Sequence, residues 1–378
     1  MTDLTFNGGL IGIHVGNQQF TMRNLAFNDC VTAILQLWSW GWVYQGLSIN
    51  SCQTGIDISG VNATDNNQFI GSVTVLDSSI TNTAVGVLTA FNSGSLPTTG
   101  GTLVLENVVL SKVGTSVKYS GNGATILAGS SGTFTIPGWG QGHKYSPIGG
   151  PARFQGSFTP NTRPGSLLSG SKYYTRSKPQ YNNLGVGSFK SVRSAGAKGN
   201  GVTDDTNALQ NVINSATSAG NIVFFDAGTY LVTKTLSIPP GAKLVGESYS
   251  VIMSSGSYFN DMSNPKPVVQ VGTPGQTGQV EWSDMIVSTQ GTQAGAILIE
   301  WNLATSGTPS GMWDVHARVG GFSGSNQQTA ECQKNPGSTA VNTGCIAAYM
   351  TMHVTPSAAG LYLENNWLWT AGELDQDF

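Results

Sequence analysis

The sequence predicts an all-β protein built from parallel β-helix coils, in which short strands stack on one another at a regular period. Glycine is abundant, at 50 of 378 residues, and charged side chains make up only 10%, which is typical of a chain rich in turns. One motif recurs along the first part of the chain, and a similar corner motif returns after residue 280. One amphipathic helical pattern, at 204–219, is followed only by short strands and therefore predicts a cap on a stack of strands.

The repeat is marked by an apolar residue that follows an Asn or Asp corner. Its copies fall at Phe6, Phe27, Ile49, Ile80 and Leu110, which are 21, 22, 31 and 30 residues apart. Short alternating strands at such a period predict coils that stack about 4.8 Å apart and join their inward residues into one apolar column. A β-sandwich is the alternative, and we disfavour it because sandwiches do not usually repeat one motif in register.

The second half of the chain begins with the predicted helix. Asp204 or Thr203 is expected to cap its first turn, and its apolar stripe consists of Ala208, Leu209, Val212, Ile213 and Ala216. Corner motifs then recur at 282–287, 313–317 and 364–368. We therefore expect the later coils of a first stack at 1–127, an extended surface linker at 128–185, and a capping helix with the early coils of a second stack at 186–378.

Composition excludes several classes of partner. The net charge of −3 gives no electrostatic basis for binding nucleic acid or an anionic membrane. No apolar run approaches the roughly 20 residues of a membrane span. We expect a monomer.

The cysteines predict an oxidising compartment. Cys30 and Cys52 occupy equivalent places in successive repeats, so a disulfide between them would join neighbouring coils; two buried free thiols are the alternative. Cys332 and Cys345 flank a loop of small and polar residues and form a second plausible pair. Asn62 begins a glycosylation sequon. The N-terminus shows no signal peptide, and we interpret this inconsistency as an indication that the natural N-terminus lies upstream.

Several segments carry a family resemblance. Residues 191–206, 225–230 and 244–247 resemble the pectate-lyase-like β-helix superfamily, and 16–21, 40–46, 174–181 and 361–369 make most of the chain similar to fungal exo-β-1,3-glucanases of glycoside hydrolase family 55. The resemblance implies two tandem right-handed β-helices, both incomplete in this chain, with a glucan-binding cleft between them. It also implies secreted, extracellular enzymes that hydrolyse β-1,3-glucan from the chain end with inversion, release glucose and use no metal or other cofactor.

The same resemblance implies site residues. Gln19 and Gln45 match family motifs whose polar residues help to hold the attacking water; an amide can orient water but cannot take its proton. A structural polar ladder is the alternative interpretation of both.

Alternating tryptophans form the second set of candidates. Trp38, Trp40 and Trp42 are predicted to point to one side of a strand as an outward row against sugar rings; packing beneath the linker or against the second helix is the alternative. Trp367 and Trp369 alternate likewise and are expected to form the opposite wall of the cleft.

An inverting glycosidase needs two carboxyl groups about 6.5–9.5 Å apart. The candidates are Glu300, Glu364, Glu373, Asp375 and Asp377, and none has a partner at a spacing that predicts a catalytic pair. The resemblance implies that the general-acid glutamate and a supporting glutamate lie in later coils, beyond Phe378. Two other functions remain open: a non-catalytic β-glucan-binding module, and a polysaccharide lyase, which would need a Ca²⁺-binding carboxylate cluster and a catalytic arginine on one face.

Overall fold

The structure is a computed structural model that describes residues 1–370 except 63, 98, 99, 334 and 336. The chain divides into two compact units, Met1–Ser177 and Lys178–Phe378, here called unit 1 and unit 2. The described residues form 27 strands and one α-helix, so the prediction of an all-β protein is confirmed.

Unit 1 contains strands β1 to β14. Their bounds are β1 Thr2–Asn7, β2 Ile11–Gly16, β3 Gln19–Asn28, β4 Thr32–Gln45, β5 Ser48–Asn50, β6 Thr54–Ile58, β7 Ile70–Leu76, β8 Ser79–Thr81, β9 Val85–Thr89, β10 Thr102–Tyr119, β11 Thr125–Lys144, β12 Ala152–Ser157, β13 Leu168–Ser169 and β14 Lys172–Tyr173. Strands β1 to β12 belong to one sheet. The strand pairs among β1 to β10 are parallel, for example β3 with β4 and β4 with β7, whereas β11 runs antiparallel to both β10 and β12.

The residues that mark the predicted repeat pair with one another in the sheet of unit 1. Phe6 pairs with Phe27, Phe27 with Ile49, Ile49 with Ile80, and Ile80 with Leu110. The rings of Phe6 and Phe27 stack with centroids 4.9 Å apart, and the last four residues of this column are at most 3% exposed. The inward residues therefore form a continuous apolar core, as the period predicts.

The Asn and Asp corners adopt left-handed backbone conformations. Asp3, Asn24, Asp77 and Asn107 have φ between 51° and 58°, and Gly46 occupies the corresponding corner with φ 68°. Asn and Asp tolerate this region better than other residues with a side chain, which explains their recurrence. The corners also bond to one another, since Asn24 Nδ2 donates to Asp3 Oδ1 at 3.0 Å and Asn107 Nδ2 to Asp77 Oδ1 at 2.6 Å.

The segment predicted as a linker, 128–185, is more regular than expected in its first part. Residues 128–144 belong to β11, where Ile136, Trp139 and Gln141 point inward and are at most 4% exposed. After β12, the chain is fixed to the corners of unit 1. Arg163 Nη1 contacts Asp77 Oδ1 at 2.6 Å and Arg163 Nη2 contacts Glu106 Oε1 at 2.7 Å.

Unit 2 contains the helix and strands β15 to β27. Their bounds are β15 Phe189–Ser191, β16 Asn200–Asp204, α1 Thr206–Ser218, β17 Ile222–Phe225, β18 Gly228–Val232, β19 Leu236–Ile238, β20 Lys243–Ser254, β21 Lys266–Val271, β22 Glu281–Thr289, β23 Ala296–Trp301, β24 Ser310–Val319, β25 Met350–Val354, β26 Leu361–Glu364 and β27 Leu368–Thr370. They form a nine-stranded sheet and a four-stranded sheet, β19-β21-β23-β25. Left-handed corners recur at Asp284, Asp314 and Asn365.

Helix α1 lies within the predicted range. Asp204 Oδ1 accepts a hydrogen bond from the backbone N–H of Thr206, the first helical residue, at 3.0 Å, so Asp204 rather than Thr203 satisfies one N–H group of the first turn. The N-cap residue itself is Asp205, whose side chain makes no capping hydrogen bond. The predicted stripe packs on the core of unit 2, with Leu209, Val212 and Ile213 buried. The amphipathic pattern thus located the helix correctly.

One predicted disulfide is confirmed and the other is wrong. Cys332 and Cys345 are bonded, with Cα atoms 5.7 Å apart. Cys30 and Cys52 are free, buried thiols. They lie in neighbouring coils with parallel side chains, whereas a disulfide needs Cβ vectors that converge; Cys30 Sγ instead donates to Gly8 O at 3.3 Å and Cys52 Sγ to Asn50 O at 3.5 Å.

Candidate functional site

The outward face of the sheet in unit 1 carries the first group of candidate residues. Strand pairing places Gln19, Gly41 and Ser72 in one row across β3, β4 and β7. Gln19 is exposed. Gly41 has no side chain, so Gln19 and Ser72 flank an open space above the Gly41 backbone, which we call the Gly41 notch.

Gln45 is not part of this notch. Gln19 pairs with Gly41 and Gln45 with Arg23, four residues further along the strands, which is about 13 Å at 3.3 Å per residue. Gln45 is half-buried. Its neighbour Arg23 is 1% exposed, lies 3.7 Å from Asp3 Oδ1, and donates from Nη2 to Arg176 O at 3.0 Å. The structure therefore does not bring the two predicted glutamines to one point.

Ser72 is the residue that sequence reasoning missed. Its hydroxyl donates to Trp40 O at 3.4 Å, and a methyl group placed on Gly41 would lie 3.6 Å from Ser72 Oγ, so this oxygen borders the notch. A Ser hydroxyl and a Gln amide can both orient a water molecule, but neither is a base at neutral pH. The alternation of β7 as Ile70-Gly71-Ser72-Val73-Thr74 is the signal that could have found it, because Val73 is fully buried and Ser72 must face outward.

The predicted tryptophan row is wrong for one of its three members. Trp38 and Trp40 are 40% and 62% exposed, but Trp42 is 5% exposed and packs between the rings of Phe20 and Tyr44, at centroid distances of 5.6 and 6.2 Å. The reason is a bend of β4 at residues 40–41, where the carbonyl of Gln18 accepts from both Trp40 N at 2.6 Å and Gly41 N at 3.0 Å. The strict alternation of the strand is broken at this bend, so Trp40 stays exposed and Trp42 turns into the core.

Trp367 and Trp369 lie together in unit 2. Their rings stack with centroids 4.2 Å apart and an interplanar angle of 20°. The backbone N–H of Trp367 donates to His316 Nδ1 at 3.1 Å, and the Arg318 guanidinium lies 5.7 Å from the Trp369 ring. Burial lowers the pKa of His316, against the opposing charges of Asp314 and Asp284, so the imidazole is neutral and its Nδ1 is available as an acceptor.

The two described candidate glutamates are held by neighbours in unit 2. Glu300 Oε1 accepts from Gln270 Nε2 and Asn302 Nδ2, each at 2.9 Å, and Oε2 lies 3.7 Å from His353 Nδ1. Glu364 accepts a hydrogen bond from the Tyr362 hydroxyl. Glu373, Asp375 and Asp377 lie outside the described residues.

The sequon asparagine lies in a turn between β6 and β7. Asn62 is partly exposed, and its Oδ1 accepts the backbone N–H of Thr64 at 2.9 Å. Glycosylation of Asn62 stays a prediction.

Comparison with known proteins shows which family this chain matches. The model of the family described as "Rhamnogalacturonase A/epimerase, pectate lyase-like" matches residues 1–57 and 189–342, more than half of the chain. The chain belongs to this family. The pectate-lyase-like prediction made from the strand and cap motifs is thereby confirmed.

Two relatives with high similarity are β-1,3-glucanases by name. The chain is 49% identical to a glucan 1,3-beta-glucosidase of Cochliobolus carbonum over 98% of its own length and 46% of that protein. It is 39% identical to a probable glucan endo-1,3-beta-glucosidase of Arthroderma benhamiae, over 99% and 53%. A third relative, a non-secreted LysM effector of Penicillium expansum, is 37% identical over 97% and 29%. The resemblance is confirmed, and the chain spans about half the length of the two glucanases.

No helix in the described part of the chain is long and apolar enough to cross a membrane.

Proposed function

We propose that the protein hydrolyses β-1,3-glucan from the chain end and releases glucose with inversion. The similarity to a glucan 1,3-beta-glucosidase at 49% identity over 98% of the chain carries this proposal. The outward face of unit 1 supports it chemically. Gln19 and Ser72 hold water at the Gly41 notch, and exposed Trp38 and Trp40 offer apolar ring faces to sugar C–H groups.

Product analysis tests the reaction. The chain is incubated with laminarin, and glucose and longer oligosaccharides are separated over time. Glucose as the first and dominant product supports chain-end attack, whereas early release of mixed oligosaccharides would identify an endo-acting enzyme, as in the name of the A. benhamiae relative. Inversion is tested by ¹H NMR, in which the α-anomer of glucose appears first.

Residue roles are tested against matched controls. Gln19→Ala is expected to lower kcat on laminarin about 100-fold with little change in KM, because water positioning acts on the chemical step. Gln53→Ala, at an exposed glutamine of the same unit, is the control. Trp40→Ala is expected to raise KM, with exposed Phe134→Ala as its control. Unchanged kinetics for Gln19→Ala would remove Gln19 from the reaction.

A non-catalytic β-glucan-binding module is the second candidate. The stacked rings of Trp367, which is exposed, and Trp369, which is half-buried, favour it, since an aromatic face open to solvent binds sugar without any chemistry. Laminarin that slows the chain in affinity electrophoresis, with no product formed by the same preparation, would support this function. A lyase is the third alternative, and unsaturated products from pectic substrates, seen by their ultraviolet absorbance, would support it.

We propose further that each unit is a right-handed parallel β-helix, with coils in 1–127 and in 186–378 and an extended segment at 128–185. Parallel pairing of successive strands in both units supports this. A crystal structure of the protein tests it, because left-handed connections, or antiparallel pairing among β1 to β10 or among β15 to β27, would contradict it.

Localisation outside the cell and a monomeric state are also proposals. The Cys332–Cys345 disulfide supports an oxidising compartment. The P. expansum relative is named as non-secreted, so retention of the protein inside the cell is the opposite outcome of the test. Fractionation of the producing cells, together with a mobility shift on deglycosylation that Asn62→Gln abolishes, tests export and modification. Sedimentation equilibrium tests the monomer.

A further inference from the structure

A pocket of about 410 Å³ opens on the outward face of unit 1, at strands β10 to β12. Ligand pockets have volumes of about 300–1,000 Å³, so this one has room for a small molecule. Thr102 and Val104 of β10 and Gly140 and Gly142 of β11 form its floor, and Phe154 and Phe158 stand beside them.

The floor is bare because outward positions of β11 are glycines. Trp139 and Gln141 point inward and are 4% and 2% exposed, so the alternating Gly138, Gly140 and Gly142 face outward. Gly156 of β12 pairs with Gly140 and extends the bare surface. Glycine inside a strand weakens the strand and commonly marks a place where a ligand or another backbone approaches closely. At Gly138 the approaching group is the chain itself, since an added Cβ would lie 2.7 Å from Phe158 O, whereas Gly140 and Gly142 line the pocket and leave room there for an occupant.

The walls and rim fit a sugar ring. A methyl group placed on Gly140 would lie 3.7 Å from the Phe158 ring and 3.9 Å from the Phe154 ring, so an object on this floor contacts both aromatic side chains. Lys144 Nζ lies 5.7 Å from the Phe154 ring centroid. His143 Nδ1 is buried and has no hydrogen-bond partner among the described residues. A pyranose offers apolar C–H faces to the rings and hydroxyl groups to these two polar side chains.

The pocket is continuous with the Gly41 notch. Gln19, Gly41, Ser72 and Thr102 occupy one row across β3, β4, β7 and β10, and Thr102 belongs to the pocket floor. Three strand steps separate Gln19 from Thr102, about 14 Å at 4.8 Å per step. A ligand long enough to reach both places must therefore be a chain, and the row between them carries only small side chains.

We propose that this pocket is a second sugar-binding subsite, which holds one glucosyl residue of a β-1,3-glucan whose other residues lie at the Gly41 notch. The inference rests on the proposed substrate class. It adds that affinity increases with chain length, because only a longer oligosaccharide occupies both places at once.

Two variants test the subsite in the full chain. Gly140→Leu fills the pocket; the φ angle of Gly140 is not positive, and an added Cβ would lie 3.3 Å from Leu103 O, so a small local shift accommodates it. Gly132→Leu is the matched control in the same strand, with no atom within 4 Å of the added Cβ. Phe154→Ala removes a wall instead of filling the space. Thermal unfolding checks that all three variants fold.

Calorimetric titration with laminaribiose and laminarihexaose gives the readout. We expect Gly140→Leu and Phe154→Ala to weaken hexasaccharide binding about tenfold and to leave disaccharide binding unchanged, while Gly132→Leu resembles the wild type for both. Wild-type levels of hexasaccharide binding in both pocket variants would overturn the subsite while keeping the proposed function. Absence of binding of either sugar by the wild type would overturn the proposed substrate class and the subsite with it.

Discussion

We expect the side chain of Arg163 to contribute several kilocalories per mole to the free energy of unfolding of unit 1, although Arg163 lies in a segment predicted as a linker. Its guanidinium bonds both Asp77, whose side chain is 2% exposed, and Glu106, and its own side chain is 13% exposed. Burial opposes the charge on Arg163, but the hydrogen bonds to Asp77 and Glu106 raise its pKa above the usual value. Arg163→Met keeps the aliphatic stem and removes the charge.

The magnitude follows from what the variant leaves behind. Removing one partner of a buried ion pair costs about 3–5 kcal/mol, because the other charge stays buried without compensation. Asp77 retains hydrogen bonds from Tyr173 N at 2.9 Å and Asn107 Nδ2 at 2.6 Å, and Glu106 reaches solvent with 19% exposure. We therefore expect the lower end, about 3 kcal/mol.

Guanidinium unfolding measures this loss. Arg153→Met is the control, since Arg153 is exposed and contacts the Phe91 ring; it should cost no more than about 1 kcal/mol. Asp77→Asn in the Arg163→Met background removes the negative charge that Arg163→Met leaves without its partner. The double variant should therefore lose less free energy of unfolding than the two single variants combined. A loss for Arg163→Met that matches the control, or strict additivity in the double variant, would refute the ion-pair reasoning.

Three further predictions concern single sites. Trp42→Ala should lower the free energy of unfolding by about 3–5 kcal/mol, whereas Trp40→Ala should change it by less than about 0.5 kcal/mol; equal losses in urea unfolding would contradict the inward position of Trp42. Hydrogen bonds from Thr206 and Thr233 lower the pKa of Asp204 despite the opposing effect of burial. The stability that Asp204 adds should therefore be full above its unfolded pKa of 3.8 and disappear as the pH falls through the folded value, and Asp204→Asn should flatten this acid limb of the stability profile. Ellman's reagent should find two thiols, Cys30 and Cys52, in denaturant without reductant and none in the native protein; absence of thiols in denaturant would restore the Cys30–Cys52 bond.

The core of the fold could be predicted because its determinants are local and periodic. Phe27, Ile49 and Ile80 each follow a left-handed corner, and both the corner residue type and the apolar residue are visible in the sequence. The stripe of α1 was visible for the same reason. Strand β11 was missed because Gly138, Gly140 and Gly142 are typical of turns; the inward Trp139 and Gln141 between them are the signal of a strand.

The site could be predicted only in part, because its geometry depends on contacts between coils. The orientation of Trp42 is set by the Gln18 carbonyl, which binds two successive N–H groups of the neighbouring strand. The separation of Gln19 from Gln45 is a matter of register, which residue type does not reveal. Likewise, Cys30 and Cys52 are neighbours as predicted, but parallel stacking directs both thiols to backbone carbonyls instead of to each other.

The corners of unit 1 hold register while the length of a coil changes. Phe27 and Ile49 are 22 residues apart, and Ile49 and Ile80 are 31 apart, yet both pairs are in register, as are Ile34 with Ile56 and Ile56 with Val87. The added residues fall between β6 and β7, outside the stacked strands. In such a scaffold the stacked strands form the core, while the segments that connect them vary in length. New recognition loops could be grafted between β6 and β7, or between β9 and β10, without redesign of the core that carries them.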